Sequence, residues 1–186
     1  MAAAESIAIS GASGAGKSQF LRALVDLDPH DGEMWLNGIA ASSMDAMHWR
    51  RLVHYIPAES GWWAERVSDH LGSQARQALP EVGFSETILS REVRSLSSGE
   101  RQRLALLRAL EGAPQVLLLD EASANIDPEN QLQFELLVKK EQQQRQMGVI
   151  WVTHDVRLAA RVATRRLSFS RGTVDDDPAA LLKANV

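Results

Sequence analysis

An α/β fold, a mostly parallel sheet with a small helical subdomain inserted into it, is predicted by three stretches of the sequence. Ile7-Ala8-Ile9 reads as a strand that runs straight into a glycine-rich turn and then a helical run over 19–25. Val116-Leu117-Leu118-Leu119 and Val149-Ile150-Trp151-Val152-Thr153 are continuous apolar runs, as strands buried on both sheet faces read. They end in Asp120-Glu121 and His154-Asp155, which places charge at the edge where open parallel sheets bind ligands.

The turn is Gly11-Ala12-Ser13-Gly14-Ala15-Gly16-Lys17-Ser18, a Gly, four residues, then Gly-Lys-Ser. Its glycines let the backbone aim successive N–H groups at a phosphate, and the helix starting at Lys17 adds its positive dipole end. Lys17 is expected to reach the terminal phosphates of a nucleoside triphosphate and Ser18 to ligate Mg²⁺, with Gln19 completing the binding loop. The core is therefore predicted to be of the phosphate-loop NTPase type. A glycine-rich turn that binds nothing is the plainer alternative, and the strand before the loop and the helix after it argue against that alternative.

At 186 residues with 45% hydrophobic content, the chain suits one globular domain with a sizeable core. The absence of cysteine excludes disulfides, thiolate metal sites and a cysteine nucleophile, and is compatible with a reducing compartment. Met1-Ala2-Ala3-Ala4-Glu5 lacks a basic flank and a long apolar stretch, so neither a secretion signal nor a membrane span is expected, and the location is expected to be cytoplasmic. A net charge of −4 argues against nucleic acid as a partner, and the Arg161, Arg165, Arg166 cluster reads as a solvated face.

The remaining elements follow in order. Asp28 to Gly32 is a turn, and Glu33-Met34-Trp35-Leu36 reads as a strand, closed by Asn37-Gly38, that returns the chain to the sheet. A helix over 44–52 precedes the strand Val53-His54-Tyr55-Ile56, ended by Pro57. Residues 58–113 form the expected helical subdomain, set between core segments 1–57 and 114–175. Inside it lie a helix over 67–79 and the pair Trp62-Trp63, which either packs the lobe or forms a docking patch with one ring facing outward. Leu96-Ser97-Ser98-Gly99 is a polar turn feeding a helix over 100–110 that stops at Gly112. A helix over 129–146 is expected to bury Leu132, Leu136 and Leu137 and to solvate Gln142-Gln143-Gln144. A helix over 156–163 leads to a hairpin turning at Arg171-Gly172, and the chain from Asp175 onward reads as a mobile tail, with 176–186 beyond the core segment.

The loop and the two acids alone would describe any phosphate-loop ATPase or GTPase. The order and spacing of Gly11 to Ser18, Leu96-Ser97-Ser98-Gly99-Glu100, Asp120-Glu121, Asn125-Ile126-Asp127-Pro128 and Thr153-His154-Asp155 resembles the ATP-binding cassette (ABC) ATPases over nearly the whole chain. The resemblance implies an Mg-dependent ATP hydrolase in which Glu121 is the general base, Asp120 holds Mg²⁺ through water and His154 contacts the γ-phosphate. It further implies that Ser97 and Gly99 contact ATP bound to the opposite protomer of an ATP-dependent head-to-tail homodimer, with Asp127 coupling the two sites. Most like a transporter subunit, the chain is expected to serve a separate transmembrane permease from the cytoplasmic face of the membrane.

Four departures from that pattern stand out. Ala58, beside Glu59, occupies the usual glutamine position, Ser98 replaces the signature's first glycine, and Ala122 replaces a proline. With ten residues before Gly11, the upstream aromatic that stacks on adenine has no counterpart, which leads us to expect weak ATP binding that tolerates GTP. Two other readings remain. A soluble ABC ATPase of repair, translation or cofactor assembly is disfavoured by a single cassette without a long heptad insertion. A weakly hydrolysing regulator is suggested by Ala58 and disfavoured by Glu121 and His154 standing together.

Overall fold

The computed structural model describes residues 1–170 and 173–176. In chain order the elements are β1 (Ser6–Ser10), α1 (Lys17–Leu24), β2 (Trp35–Leu36), β3 (Ile39–Ala40), α2 (Ala46–Leu52), β4 (Val53–Ile56), α3 (Ser73–Gln77), α4 (Ser98–Glu111), β5 (Val116–Asp120), α5 (Pro128–Arg145), β6 (Gly148–Val152), α6 (Val156–Val162), β7 (Arg165–Ser170) and β8 (Thr173–Asp176). Six strands form the main sheet in the order β4-β5-β6-β1-β7-β8. Neighbours from β4 to β7 run parallel, and β8 closes the edge antiparallel to β7.

Side chains alternate across the sheet, so each strand feeds two cores. On one face Leu117 and Leu119 pack with Leu104, Leu107, Phe134 and Trp151 beneath α4 and α5. On the other, Leu118 packs with Ile9, Leu21, Trp49 and Val152 beneath α1 and α2. The register that produces these layers also sets Ile9 and Asp120 on either side of Val152, bringing the C-terminal ends of β1, β5 and β6 together.

Several sequence expectations are corrected here. Trp35-Leu36 does not rejoin the main sheet: Asn37 (φ 51°) and Gly38 (φ 78°) make a two-residue turn with both residues left-handed, and β2 pairs with β3 as a separate two-stranded sheet. The expected helix over 67–79 is broken into a 3₁₀ turn at Val67–His70, α3, and a second turn at Leu79–Val82. Glu111 from α4 draws the chain aside at the break, accepting from the N–H groups of Gly72 (2.8 Å) and Gln74 (3.2 Å). On α5 the buried stripe is Phe134, Leu137, Val138 and Glu141; Leu132 and Leu136 are 50% and 56% exposed. Two residues along a helix turn the side chain by about 200°, so a face anchored at Phe134 turns both leucines outward.

Gln142 is buried rather than solvated and donates to the Ala4 carbonyl at 2.8 Å. The arginine trio is not one solvated face: Arg161 chelates Glu135 at 2.7 and 2.9 Å, Arg165 pairs with Asp176 at 2.6 Å, and Arg166 is buried. Asp175 and Asp176 belong to β8 and not to a tail, while the turn at Arg171-Gly172 and residues 177–186 lie outside the described residues.

Candidate functional site

The loop between β1 and α1 is shaped by glycine where a side chain cannot fit. Gly11 has φ 152°, and a Cβ there would stand 2.3 Å from the Phe169 carbonyl oxygen of β7. Gly16, at φ 102°, sits at the start of α1 with the Phe169 ring beside it. Between them the Ala15 N–H donates to the Ala12 carbonyl at 3.2 Å, closing the turn. Lys17 is buried, and its ammonium donates to the Gly11 and Ala12 carbonyls, each at 2.9 Å. Two of its three donors thereby hold the loop's shape, and the third remains for an anion.

A cavity of about 270 Å³ opens over this loop, walled by Ser13, Gly14, Gly16, Lys17, Ser18, Gln19, Glu121 and His154. No Trp, Tyr or Phe lines it. Glu121 leaves the strand alternation because its φ is 50°, a left-handed conformation, while its N–H still donates to the Val152 carbonyl at 2.9 Å. His154 follows the end of β6, and Asp155 anchors it from behind by capping α6 through the N–H groups of Arg157 (2.7 Å) and Leu158 (3.2 Å). These two strand ends set His154 Nε2 3.0 Å from Glu121 Oε1. Chemically the cavity offers backbone and ammonium donors for an anion on one side and a carboxylate–imidazole pair on the other.

Asp120 does not line the cavity; it is 5% exposed and accepts a hydrogen bond at Oδ2 from the Tyr55 hydroxyl, 2.8 Å away. Burial first, then the bond to Asp120 and its charge, push the Tyr55 phenol above the ordinary tyrosine range, so it acts as a donor. Ser18 hydroxyl and Asp120 carboxylate are hard oxygen donors, and no cluster of three His, Cys, Asp or Glu occurs among the described residues. That set fits Mg²⁺, which is commonly held by one or two carboxylates together with substrate phosphates.

Ser97, Gly99 and Asp127 stand apart from the cavity. Ser97 opens α4 with a capping box: its Oγ accepts from the Glu100 N–H (3.1 Å) and Glu100 accepts from the Ser97 N–H (2.7 Å). Burial works to raise the Glu100 carboxyl, but the Ser97 N–H and the Arg91 guanidinium at 2.7 Å outweigh it and hold the pKa below the usual value. Gly99 is buried against the next loop, where a Cβ would stand 2.8 Å from the Asn125 carbonyl oxygen. Asp127 caps α5 by accepting from the Asn130 side chain (2.7 Å) and backbone (3.2 Å), bonds that lower its pKa. The turn 97–99 and the loop 125–127 thus abut one another, with Ser97 and Asp127 exposed.

Sequence reasoning missed Tyr55 and Gln102. Buried Gln102 on α4 donates to the Pro57 carbonyl (2.7 Å) and accepts from Ser60 Oγ (2.7 Å), tying down the loop that contains Ala58. A polar residue one turn before Leu106 on the apolar side of a helix was the available signal. Of the two tryptophans, Trp63 is 73% exposed and Trp62 packs against the larger core. The Arg108 guanidinium lies 4.6 and 4.7 Å from their ring centroids, and both rings meet His70 edge-on. A larger cavity of about 650 Å³ lies at the opposite end of the sheet, where Val53, Val116 and Gly148 begin their strands, away from the charged groups of the loop.

The comparisons with known proteins bear on the same elements. The family described as ABC transporter matches residues 1–124. The aliphatic sulfonates import ATP-binding protein SsuB 2 of Paracoccus denitrificans is 36% identical over 184 residues, 95% of this chain and 71% of that protein. The lipoprotein-releasing system ATP-binding protein LolD of Saccharophagus degradans is 38% identical over 174 residues, 82% of this chain and 75% of that one. A dimeric ATP-binding cassette solved in a post-hydrolysis state with ADP and phosphate superposes with a TM-score of 0.81 at 22% identity, over 94% of this chain and 86% of that one, a likeness of fold. The glycine-rich loop that holds Lys17, the acid–imidazole pair at the strand ends and these relatives lead to one conclusion: the chain belongs to the ABC transporter family and is one of its nucleotide-binding ATPases.

Proposed function

We propose that the chain is the cytosolic ATP-binding subunit of a membrane transporter and that hydrolysis of Mg-ATP in the loop cavity drives a separate transmembrane permease. The observation that carries this reading is the 3.0 Å pairing of Glu121 with His154 on the wall that also holds Lys17 and Ser18. The names of the relatives, ATP-binding proteins of an import and a releasing system, support a partner permease.

In this reading the backbone from Gly11 to Gln19 cradles the phosphates and the free donor of Lys17 reaches the terminal ones. Ser18, and Asp120 through water, would hold Mg²⁺, which when bound neutralises charge on the β- and γ-phosphates. Glu121 accepts the proton of the attacking water as its oxygen bonds to the γ-phosphorus and the bond to ADP breaks. His154 orients the Glu121 carboxylate and contacts the γ-phosphate. The loop supplies donors to one side of that phosphate only. Ser97 and Gly99, carried on the lobe 58–113 at the positive end of α4, complete the other side on a second copy stacked head to tail, and Asp127 couples the two sites.

Glu121→Gln keeps the shape of the side chain and removes the base. It should lower the hydrolysis rate about 100- to 10,000-fold and trap an ATP-dependent dimer visible by light scattering. Mixing Lys17→Ala with Ser97→Arg should restore part of the activity that each variant lacks, since the mixed dimer keeps one intact composite site. A Glu121→Gln chain that stays monomeric in saturating Mg-ATP, with no recovery on mixing and a wild-type rate independent of protein concentration, would place the whole site within one chain.

A further inference from the structure

Tyr55 lies on β4 opposite Leu118 of β5, and Asp120 is the diagonal neighbour two residues further along the same face. With strands about 4.8 Å apart and a rise of about 3.3 Å per residue, that diagonal spans about 8 Å between backbones, within reach of an aromatic side chain. The Tyr55 hydroxyl closes the gap by donating to Asp120 Oδ2 at 2.8 Å. The face they share is the one on which Leu118 packs with Leu21 of α1, the helix whose first turn carries Ser18. Asp120 thus reaches toward the α1 side, while left-handed Glu121 turns away from the alternation to the cavity wall. A buried carboxylate with one oxygen tied by a fixed donor has lost its freedom to rotate, and its second oxygen is left to accept from elsewhere.

We propose that Tyr55 is a positioning residue for Mg²⁺: its hydroxyl orients the Asp120 carboxylate toward the ion and thereby sets the affinity for the metal. The proposal rests on the reading of Asp120 as the carboxylate that holds Mg²⁺ through water. Partners of this kind, one bond removed from a metal, change metal affinity about 10- to 100-fold when removed. Tyr55→Phe deletes the donor and keeps the ring that packs against Leu118.

The test is Mn²⁺ titration of the ATP complex followed by electron paramagnetic resonance, in the Glu121→Gln background so that ATP persists. ATP binding in EDTA is measured alongside. Tyr55→Phe should weaken Mn²⁺ about 10-fold and leave metal-free ATP affinity unchanged; in the otherwise wild-type chain the Mg²⁺ concentration for half-maximal hydrolysis should rise while the rate at saturating Mg²⁺ is largely recovered. Asp120→Asn should weaken Mn²⁺ at least as much. If Asp120→Asn weakens the metal and Tyr55→Phe does not, the positioning role is wrong and the reading of Asp120 stands. Equal loss of Mn²⁺ and metal-free ATP binding in Tyr55→Phe means a general lesion of the fold and overturns the proposal. If Asp120→Asn changes nothing, the reading of Asp120 fails and takes the proposal with it.

Discussion

His54, on β4, faces away from the nucleotide loop toward the helical segment, partly buried and near the Arg108 guanidinium. Burial first, and then the Arg108 cation, lower its pKa against a smaller opposing effect of a backbone bond at Arg50. The folded imidazole therefore titrates below the unfolded one, whose value is about 6.5, and in the window between them the unfolded chain binds more protons. Stability contributed by a neutral His54 is complete above that value and falls as pH drops through it, by up to about 1.4 kcal/mol per unit. Urea melts at about pH 7.5 and about pH 5.5 should show wild type losing more stability on acidification than His54→Gln. Equal losses would mean that His54 carries none of the acid sensitivity.

Between elements, the decisive contact is the hold of α4 on the loop after β4. Gln102 binds Pro57 and Ser60, and one turn and a half later Arg108 donates to the Gly61 carbonyl at 3.0 Å. The helix that presents Ser97 at its N-terminus thus grips the segment leading to Trp62-Trp63 at two points. Gln102→Ala leaves the Pro57 carbonyl and the Ser60 hydroxyl without this partner and should cost about 1–3 kcal/mol in chemical denaturation. Because Ser60→Ala removes one side of the same contact, the two substitutions should be non-additive by about 0.5 kcal/mol or more. Simple additivity would show that the Gln102–Ser60 bond contributes no coupling energy.

At the scale of the molecule, that grip links an exposed surface to the proposed dimer interface. Trp63, stacked on Arg108 and standing 73% exposed, offers an apolar anchor at the point where the loop meets α4. If the permease docks there, Trp63→Ser should leave basal hydrolysis unchanged and abolish its stimulation in membranes reconstituted with the permease. Undiminished stimulation by the permease would put the docking surface elsewhere.

The glycine-rich loop, the two buried strands with charged ends and the polar turn that feeds α4 were legible in the sequence because each depends on neighbours within a few residues: glycine conformations, apolar runs and small polar residues ahead of a helix. The caps that Ser97 and Asp127 make were seen only in the structure. That local chemistry also carried the order of motifs that marks the family. Which strands lie side by side was decided only by the tertiary structure. It brought Glu121 to His154 across β5 and β6, joined Tyr55 to Asp120 along a diagonal, and let Gln102 reach a loop more than forty residues earlier in the chain, at Pro57. It also chose among amphipathic options that the sequence left degenerate. Leu132 and Leu136 were as apolar as Phe134, but it is the stripe through Phe134 that faces Trp151 on the sheet, at 6.3 Å between ring centroids. A one-dimensional pattern states that a face will be buried; the packing against the sheet determines which one.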